Sequence, residues 1–405
     1  MSRVGAGGRC GLALNTQIML TQASSVGVRL MVSYRALDAG TDPLFLGMLA
    51  ASFAVPALCT ALPAGRLADR VGGSAVTIAG LLIAALGIAA MLLLPGKGPL
   101  LACSAAVGLG HLLAMVGQQA SVAHATAITS SDNAFGTLAA AASFGQLVGP
   151  LAATWVASLT QAGRGPNPDT SAGLVLCLAL SVLAMPVYLW MHRLDRALAR
   201  NRLPNGYVSA DMRVLVSSRG LWRLLAVSGA VLVTVDLMYA FVPMWAVEQN
   251  ISAAAVGALL ALRAAVSVVS RIGLGRLTRR FGRKPLLTVS ITAAALSLLA
   301  LPMVGFFGAA VAMIGLGLGL GIPQPLTMSW VVSLTKPSLH GAALGLRMTV
   351  NQLAQISLPL GVGAVAAPLG VAGIFWANAA LLAGAIAIVV GSENGREPQA
   401  SESAP

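Results

Sequence analysis

Five ionisable side chains stand inside otherwise apolar stretches of this chain: Arg29, His111, Asp236, Arg263 and Arg347. A charge held in hydrocarbon costs at least about 2.5–3.5 kcal/mol, so each is expected to face water, a counter-charge or a ligand. Two kinds of chemistry are open to them. Asp236 can take up and release a proton, because a carboxylate in a partly dry cavity is costly to keep ionised. Arg29 and Arg263 carry planar guanidinium forks suited to a carboxylate or a phosphate. His111 is a second proton-carrying candidate, although a lone helix histidine also serves as a hydrogen-bonded packing residue. Arg347 lies one to two turns from the end of its stretch, so an interfacial position is expected of it. Gln22, Gln118, Gln119, Gln146, Gln324, Asn351 and Gln355 add neutral polar groups that either orient a solute or bond between helices. The four cysteines form no C-x-x-C pair, no metal-like spacing occurs and no G-x-x-x-x-G-K-[ST] loop is present. Neither a metal, a cofactor nor direct ATP drive is therefore expected.

The elements that hold these residues are read from composition. Of 405 residues, 57% are hydrophobic and 9% charged, against about a quarter charged in a soluble domain. Twelve apolar runs follow one another, near 11–34, 44–63, 76–94, 99–121, 135–159, 172–191, 221–245, 252–271, 286–304, 307–332, 342–366 and 369–390. Each has about the 20 residues that a membrane-crossing helix needs. Helices satisfy their own backbone in lipid, and the short alternating segments of a barrel are missing. The expected fold is an all-α polytopic membrane protein with twelve transmembrane helices. The first run is too long for a cleaved signal, so it is expected to stay as the first helix.

The formal net charge of +13 would suggest nucleic acid in a soluble protein. Here most cations fall in short connections on one side of the alternating helices, while Arg35, Lys97 and Arg164 fall on the other. That asymmetry predicts a cytoplasmic position for the crowded side and for both termini, and excludes nucleic acid as a partner. The chain also repeats itself. Gly65-Arg-Leu-Ala-Asp69-Arg70-Val-Gly72 aligns with Gly275-Arg-Leu-Thr-Arg279-Arg-Phe-Gly282, and Gly47 aligns with Gly257. Gln146-x-x-x-Pro150 matches Gln355-x-x-x-Pro359, and Val28-Arg29-Leu30-Met31 matches Val235-Asp236-Leu237-Met238. Two pseudo-symmetric six-helix halves are expected, 1–192 and 220–391, joined by a basic linker 193–219 and followed by a disordered tail 392–405. A two-fold axis along the membrane normal would put Arg29 across a central cavity from Asp236. They would then form an ion pair or bracket a substrate; the other reading of Arg29 is a side chain that snorkels to the interface. In the first loop copy Gly65 and Gly72 are expected to supply the tight reversal between helices, and Gly275 and Gly282 stand at the matching positions of the second loop copy.

Twelve runs, a central basic loop and a G-x-L-x-D-R-x-G stretch between the second and third runs resemble the major facilitator superfamily. The fifth run adds Gly136, Gly145, Gly149-Pro150 and Ala153, similar to the antiporter motif of the drug-efflux branch, which ordinarily ends in glycine. The resemblance implies that Asp69 and Arg70 belong to a gate, that the fifth-run glycines form a seal, and that the uncharged third, sixth, ninth and twelfth runs face lipid. Ordinary helix packing is the other reading of those glycines. Two departures stand out. The branch carries an arginine in the fourth run where this chain has Leu113, so that coupling role does not transfer. The second loop copy has Arg279 where the first has Asp69.

The expected function is secondary active transport of a small organic solute through the bacterial inner membrane by alternating access, coupled to protons and directed outward. With more arginine than acid inside, a neutral or anionic substrate is favoured. Proton-coupled uptake of an organic anion is the alternative, and a polytopic membrane enzyme or receptor is remote. The protein is expected to act as a monomer.

Overall fold

A computed structural model describes residues 2–126, 131–160, 168–199, 219–271, 274–334, 340–366 and 370–391. In the first half, helices α1 (Ser2–Asp38), α2 (Pro43–Ser52), α3 (Val55–Val71), α4 (Gly73–Leu93), α5 (Lys97–Thr126), α6 (Ser131–Leu159) and α7 (Thr170–Ala199) follow in order. The second half holds α8 (Arg219–Glu248), α9 (Ala253–Arg271), α10 (Leu274–Phe281), α11 (Arg283–Ala300), α12 (Phe306–Gly321), α13 (Pro323–Ser333), α14 (His340–Ala366) and α15 (Gly370–Val390). A 3₁₀ turn, Leu301–Met303, follows α11. No strand occurs among the described residues. The first residues of the expected linker continue α7 as helix; residues 200–218 and the expected tail lie outside the described residues.

Nine stretches among the described residues are long and apolar enough to cross a membrane. Three further runs correspond to α1, α6 and α14, of 37, 29 and 27 residues. At about 1.5 Å per residue each exceeds the hydrocarbon thickness. Their mean hydropathy is lowered by Gln17, Thr21, Gln22 and Arg29 on α1, Gln146 on α6, and Arg347, Asn351 and Gln355 on α14. The layout of twelve helices in two halves is thus kept, and its least apolar members carry the polar residues of the interior.

Two runs are split where proline removes a backbone donor. The second breaks at Phe53–Ala54, ahead of Pro56, and the tenth at Ile322, ahead of Pro323. The repeated G-R-L stretch differs from the expected loop. In the first copy Gly65 lies within α3, which runs on to Val71, and the chain reverses at Gly72 alone (φ 94°, ψ 146°). In the second copy Gly275 lies within α10 and the reversal is at Gly282 (φ 81°). One residue at positive φ suffices to pass from helix to helix, so Gly65 and Gly275 are not turn residues. The face carrying these two turns is called the motif side below; the connections 39–42 and 249–252 lie on the opposite side.

Large apolar side chains are exposed along α4 (Leu82, Leu86), α7 (Val175, Val182, Leu183), α11 (Val289, Leu296) and α15 (Trp376, Ile388). These are the uncharged third, sixth, ninth and twelfth runs, and their exposed rows are the surface for lipid tails. By contrast α8 is buried along most of its length, with Val227, Val231, Leu237, Phe241 and Trp245 at or below 1% exposure. Helices approach to backbone contact through small residues. A Cβ at Gly80 of α4 would stand 2.5 Å from the Gly110 carbonyl of α5, which no real side chain tolerates, so van der Waals contact of two backbones takes the place of side-chain packing.

Candidate functional site

The two halves meet on the opposite side through three helix pairs. Gly47 of α2 faces α14, where a Cβ would lie 2.6 Å from the Pro359 carbonyl oxygen. Gly257 of α9 faces α6, where a Cβ would overlap Thr154 Oγ1 and lie 2.9 Å from the Pro150 carbonyl. Between α1 and α8, Arg29 Nη1 donates to Asp236 Oδ1 in an ion pair whose side chains are 20% and 15% exposed. The repeat accounts for all three: Arg29 and Asp236 are equivalent positions, and the Gly47 and Gly257 contacts are copies of each other. The snorkelling alternative for Arg29 is not what the structure shows.

Around the ion pair the site is compact. The Arg29 guanidinium lies 5.2 Å above the Phe53 ring, and Ser33 Oγ donates 3.0 Å to the Arg29 carbonyl. Arg263, 2% exposed, donates from Nη2 to Tyr239 Oη at 2.8 Å and lies 5.5 Å from that ring. Its Nε has no partner among the described residues. Tyr239 and Asp236 are three residues apart on α8, hence on one face, and both line a cavity of ≈ 20 Å³ with Arg29, Ser33, Leu49 and Phe53. Such a void holds about one water. Asp236 is paired with Arg29, and Arg263, held by Tyr239 one turn along the same helix face, adds a second positive charge, so the site carries a net positive charge. Within α8, Pro243 has no N–H for the Tyr239 carbonyl, so the helix is loosened one turn past Asp236.

The other predicted residues are distributed differently. His111 of α5 faces a cavity of ≈ 10 Å³ inside the first half, with Thr21, Ser24, Ser25 and Ser181 in the wall. Its Nδ1 is buried without a partner among the described residues, so the hydrogen-bonded packing reading finds no support there for that nitrogen. Gln118 Nε2 donates to Gln17 Oε1 at 3.1 Å, and Gln17 Nε2 to Thr21 Oγ1 at 2.8 Å; these bonds tie α5 to α1 within one half. Gln324, half-buried on α13, accepts at its carbonyl from Thr327 Oγ1 at 3.1 Å. Asn351 is 4% exposed, and its Oδ1 has no partner among the described residues. Arg347, expected at an interface, is instead 5% exposed: it shares a helix face with Asn351, and that face packs on α8. Gly145 and Gly149 press against Met19 and Ala23 of α1, so the glycine row of α6 packs inside its own half, and the cross-half contact is made by Pro150 and Thr154. Gly136 falls in the second turn of α6. The side chains of Asp69 and Arg70 lie outside the described residues, and Arg279 is exposed.

Three residues escaped the sequence reading. Tyr239 had a usable signal, its place one turn after Asp236. Arg271, counted there with the loop cations, turns inward: Nη1 donates 2.8 Å to Ser143 Oγ of α6, and Nε donates 3.2 Å to the Gly321 carbonyl. That bond to Ser143 joins the halves closer to the motif side than the ion pair does. Asn378 accepts from Thr234 Oγ1 at 2.9 Å between α15 and α8, and nothing in the sequence marks it.

Repeated six-helix halves, joined on one side around a charged and nearly water-tight centre, define a membrane transporter of the two-bundle type. The chain belongs to the Major Facilitator Superfamily, whose sequence profile matches residues 15–359. Solved structures agree in fold. The nucleoside transporter NupG superposes with TM-score 0.74 at 14% identity, covering 94% of this chain and 97% of that one. A POT family transporter in complex with a thioalcohol-conjugated peptide gives 0.74 at 13%, covering 94% and 95%. A bacterial homologue of the human lysosomal transporter Spinster, inward-facing and unoccupied, gives 0.71 at 14%, covering 95% and 95%. At these identities the likeness shows the fold alone. No curated protein matches the chain by sequence. The protein is a multi-pass secondary transporter of a small molecule, not an enzyme.

Proposed function

We propose that this transporter exports a small neutral or anionic organic solute in exchange for protons, and that Asp236 is the proton carrier. The supporting observation is the Arg29–Asp236 ion pair between the halves. Separating the halves on the opposite side requires that pair to break, which takes each charge from its partner before water can replace it. Protonating Asp236 neutralises one partner and lowers that barrier, so proton uptake and opening become one event. The opposite side is then the outer face, the motif side is cytoplasmic with both termini, and the membrane is the bacterial inner membrane. The outward direction rests on the fifth-run resemblance to the drug-efflux branch. The protein is taken to work as a monomer, each copy holding a complete site.

Uptake of an organic anion is the second reading. It is favoured by one observation: Arg263 is buried, its Nε lacks a partner among the described residues, and Asp236, the acid one turn from its Tyr239 partner, is already held by Arg29. A carboxylate or phosphate on the solute would supply the missing counter-charge. Transport of candidate solutes in everted vesicles, with the pH gradient intact or collapsed, separates the two. Export predicts gradient-driven accumulation inside everted vesicles. Uptake predicts gradient-driven accumulation in right-side-out vesicles.

A further inference from the structure

Away from the ion pair, a second group of buried polar atoms stands between α8 and α14. Arg347 is 5% exposed, takes part in no ion pair among the described residues, and has an unpartnered Nε. Asn351, four residues on and 4% exposed, has an unpartnered Oδ1. Spacing of four puts the two side chains on one helix face. That face packs on α8: a Cβ at Gly229 would lie 3.0 Å from Ala354 Cβ and 4.0 Å from Asn351 Oδ1. Next to Gly229, Ser228 is 1% exposed and its hydroxyl too has no partner among the described residues. The motif-side end of this group is sealed by Leu221, Leu224, Leu225 and Val331, with Trp330 packed against them.

A buried guanidinium without a counter-ion is among the most costly arrangements a protein can hold. An amide and a hydroxyl left unpaired at the same helix contact add to that cost. Together a fixed positive fork, an amide nitrogen and a hydroxyl match one small oxyanion: the guanidinium donates two bonds, while Asn351 Nδ2 and the Ser228 hydroxyl donate one each, and the unpaired Asn351 Oδ1, an acceptor, is left for a hydroxyl of the solute. In the parallel α8 and α14 this level lies nearer the motif side than Asp236, which is two turns further along α8 than Gly229.

We propose that Arg347, Asn351 and Ser228 form a second anion station, which takes the carboxylate or phosphate group of the transported solute on the motif side of the Arg29–Asp236 pair. This rests on the reading of the chain as a carrier of an anionic solute. It adds a place where the charge waits, and assigns Arg347 a role in binding.

The test uses inorganic phosphate and acetate as probes of the full-length protein in phosphatidylcholine nanodiscs, read by Trp330 fluorescence and by the thermal unfolding midpoint. Wild type should show a saturable emission change that vanishes in Trp330→Phe, and a rise in midpoint with either anion. Arg347→Gln should weaken the apparent affinity at least tenfold, and Asn351→Ala several-fold. Arg347→Lys, which keeps the charge and guards against a folding defect, should fall between them. Equal anion affinity in wild type and Arg347→Gln overturns the station but leaves proton coupling through Asp236 standing. Normal anion binding with transport indifferent to the pH gradient overturns the coupling and leaves the station. Repetition in phosphatidylglycerol nanodiscs identifies the source of the anion: loss of the soluble-anion response there means a lipid phosphate occupies the site, and overturns its assignment to the solute.

Discussion

Arg29 and Asp236 occupy equivalent positions of the two repeated halves and join them through an ion pair. A pseudo-two-fold axis brings equivalent positions face to face, so a difference between the copies is most effective there: arginine in one half, aspartate in the other. If that contact acts as a clasp, exchange of the two charges should preserve it. Arg29→Asp and Asp236→Arg should each reduce transport at least tenfold, and the double variant should recover a large part of it. The measurement is solute flux in vesicles at equal protein density. A double variant no better than the singles would show that the two charges act separately.

The cross-half glycines make a steric prediction. A Cβ at Gly257 would enter the space of Thr154 Oγ1, and one at Gly47 would meet the Pro359 carbonyl. Gly257→Val and Gly47→Val should therefore insert normally but fail to close the opposite side. A cysteine placed at Ser33 should react faster with an aqueous maleimide in these variants than in a wild-type background. Equal labelling rates would show that the helices yield to the larger side chains.

At the loop repeat the glycines separate by role. Gly72 has φ 94°, whereas Gly65 lies in helix with nothing within 4 Å of where a Cβ would stand. Gly72→Ala should destabilise the protein by about 1–2 kcal/mol through left-handed strain. Gly65→Ala should be neutral or stabilising by a few tenths, because alanine is the better helix former. Thermal unfolding midpoints in detergent compare the two. The opposite order would return the turn to Gly65.

Removal of one hydroxyl examines the arginine at the centre. Tyr239→Phe leaves the ring under the guanidinium but deletes the 2.8 Å bond from Arg263 Nη2. With its donors freed, Arg263 should change its affinity for an anionic solute several-fold without affecting insertion. Arg263→Lys loses the planar fork and should lower that affinity at least tenfold. Counterflow measurements with the same solute at a range of concentrations give both values.

Much of this architecture is legible in the chain because hydrocarbon imposes strict rules. Twelve apolar runs and the meeting of Arg29 with Asp236 follow from hydropathy, charge and repetition, and the lipid-facing rows on α4, α7, α11 and α15 from the family resemblance, with which their lack of charge agrees. The rest depends on packing, which a single sequence carries weakly. The G-R-L stretch looks like a loop because it is polar, yet amphipathic helix accommodates the same residues up to Gly72. Arg347 looks interfacial when depth is counted along its helix. Its burial depends on the face it shares with Asn351 and on α8 closing over that face. Arg271 turns inward to Ser143, a partner 128 positions away, which no local pattern announces.

The central claim is that Asp236 carries the proton that releases the clasp. The direct measurement is solute transport by Asp236→Asn in everted vesicles, with and without an imposed pH gradient, beside gradient-independent counterflow of the same solute. The predicted result is counterflow retained and gradient-driven accumulation lost. Accumulation in Asp236→Asn that still rises with the pH gradient as it does in wild type would contradict the account.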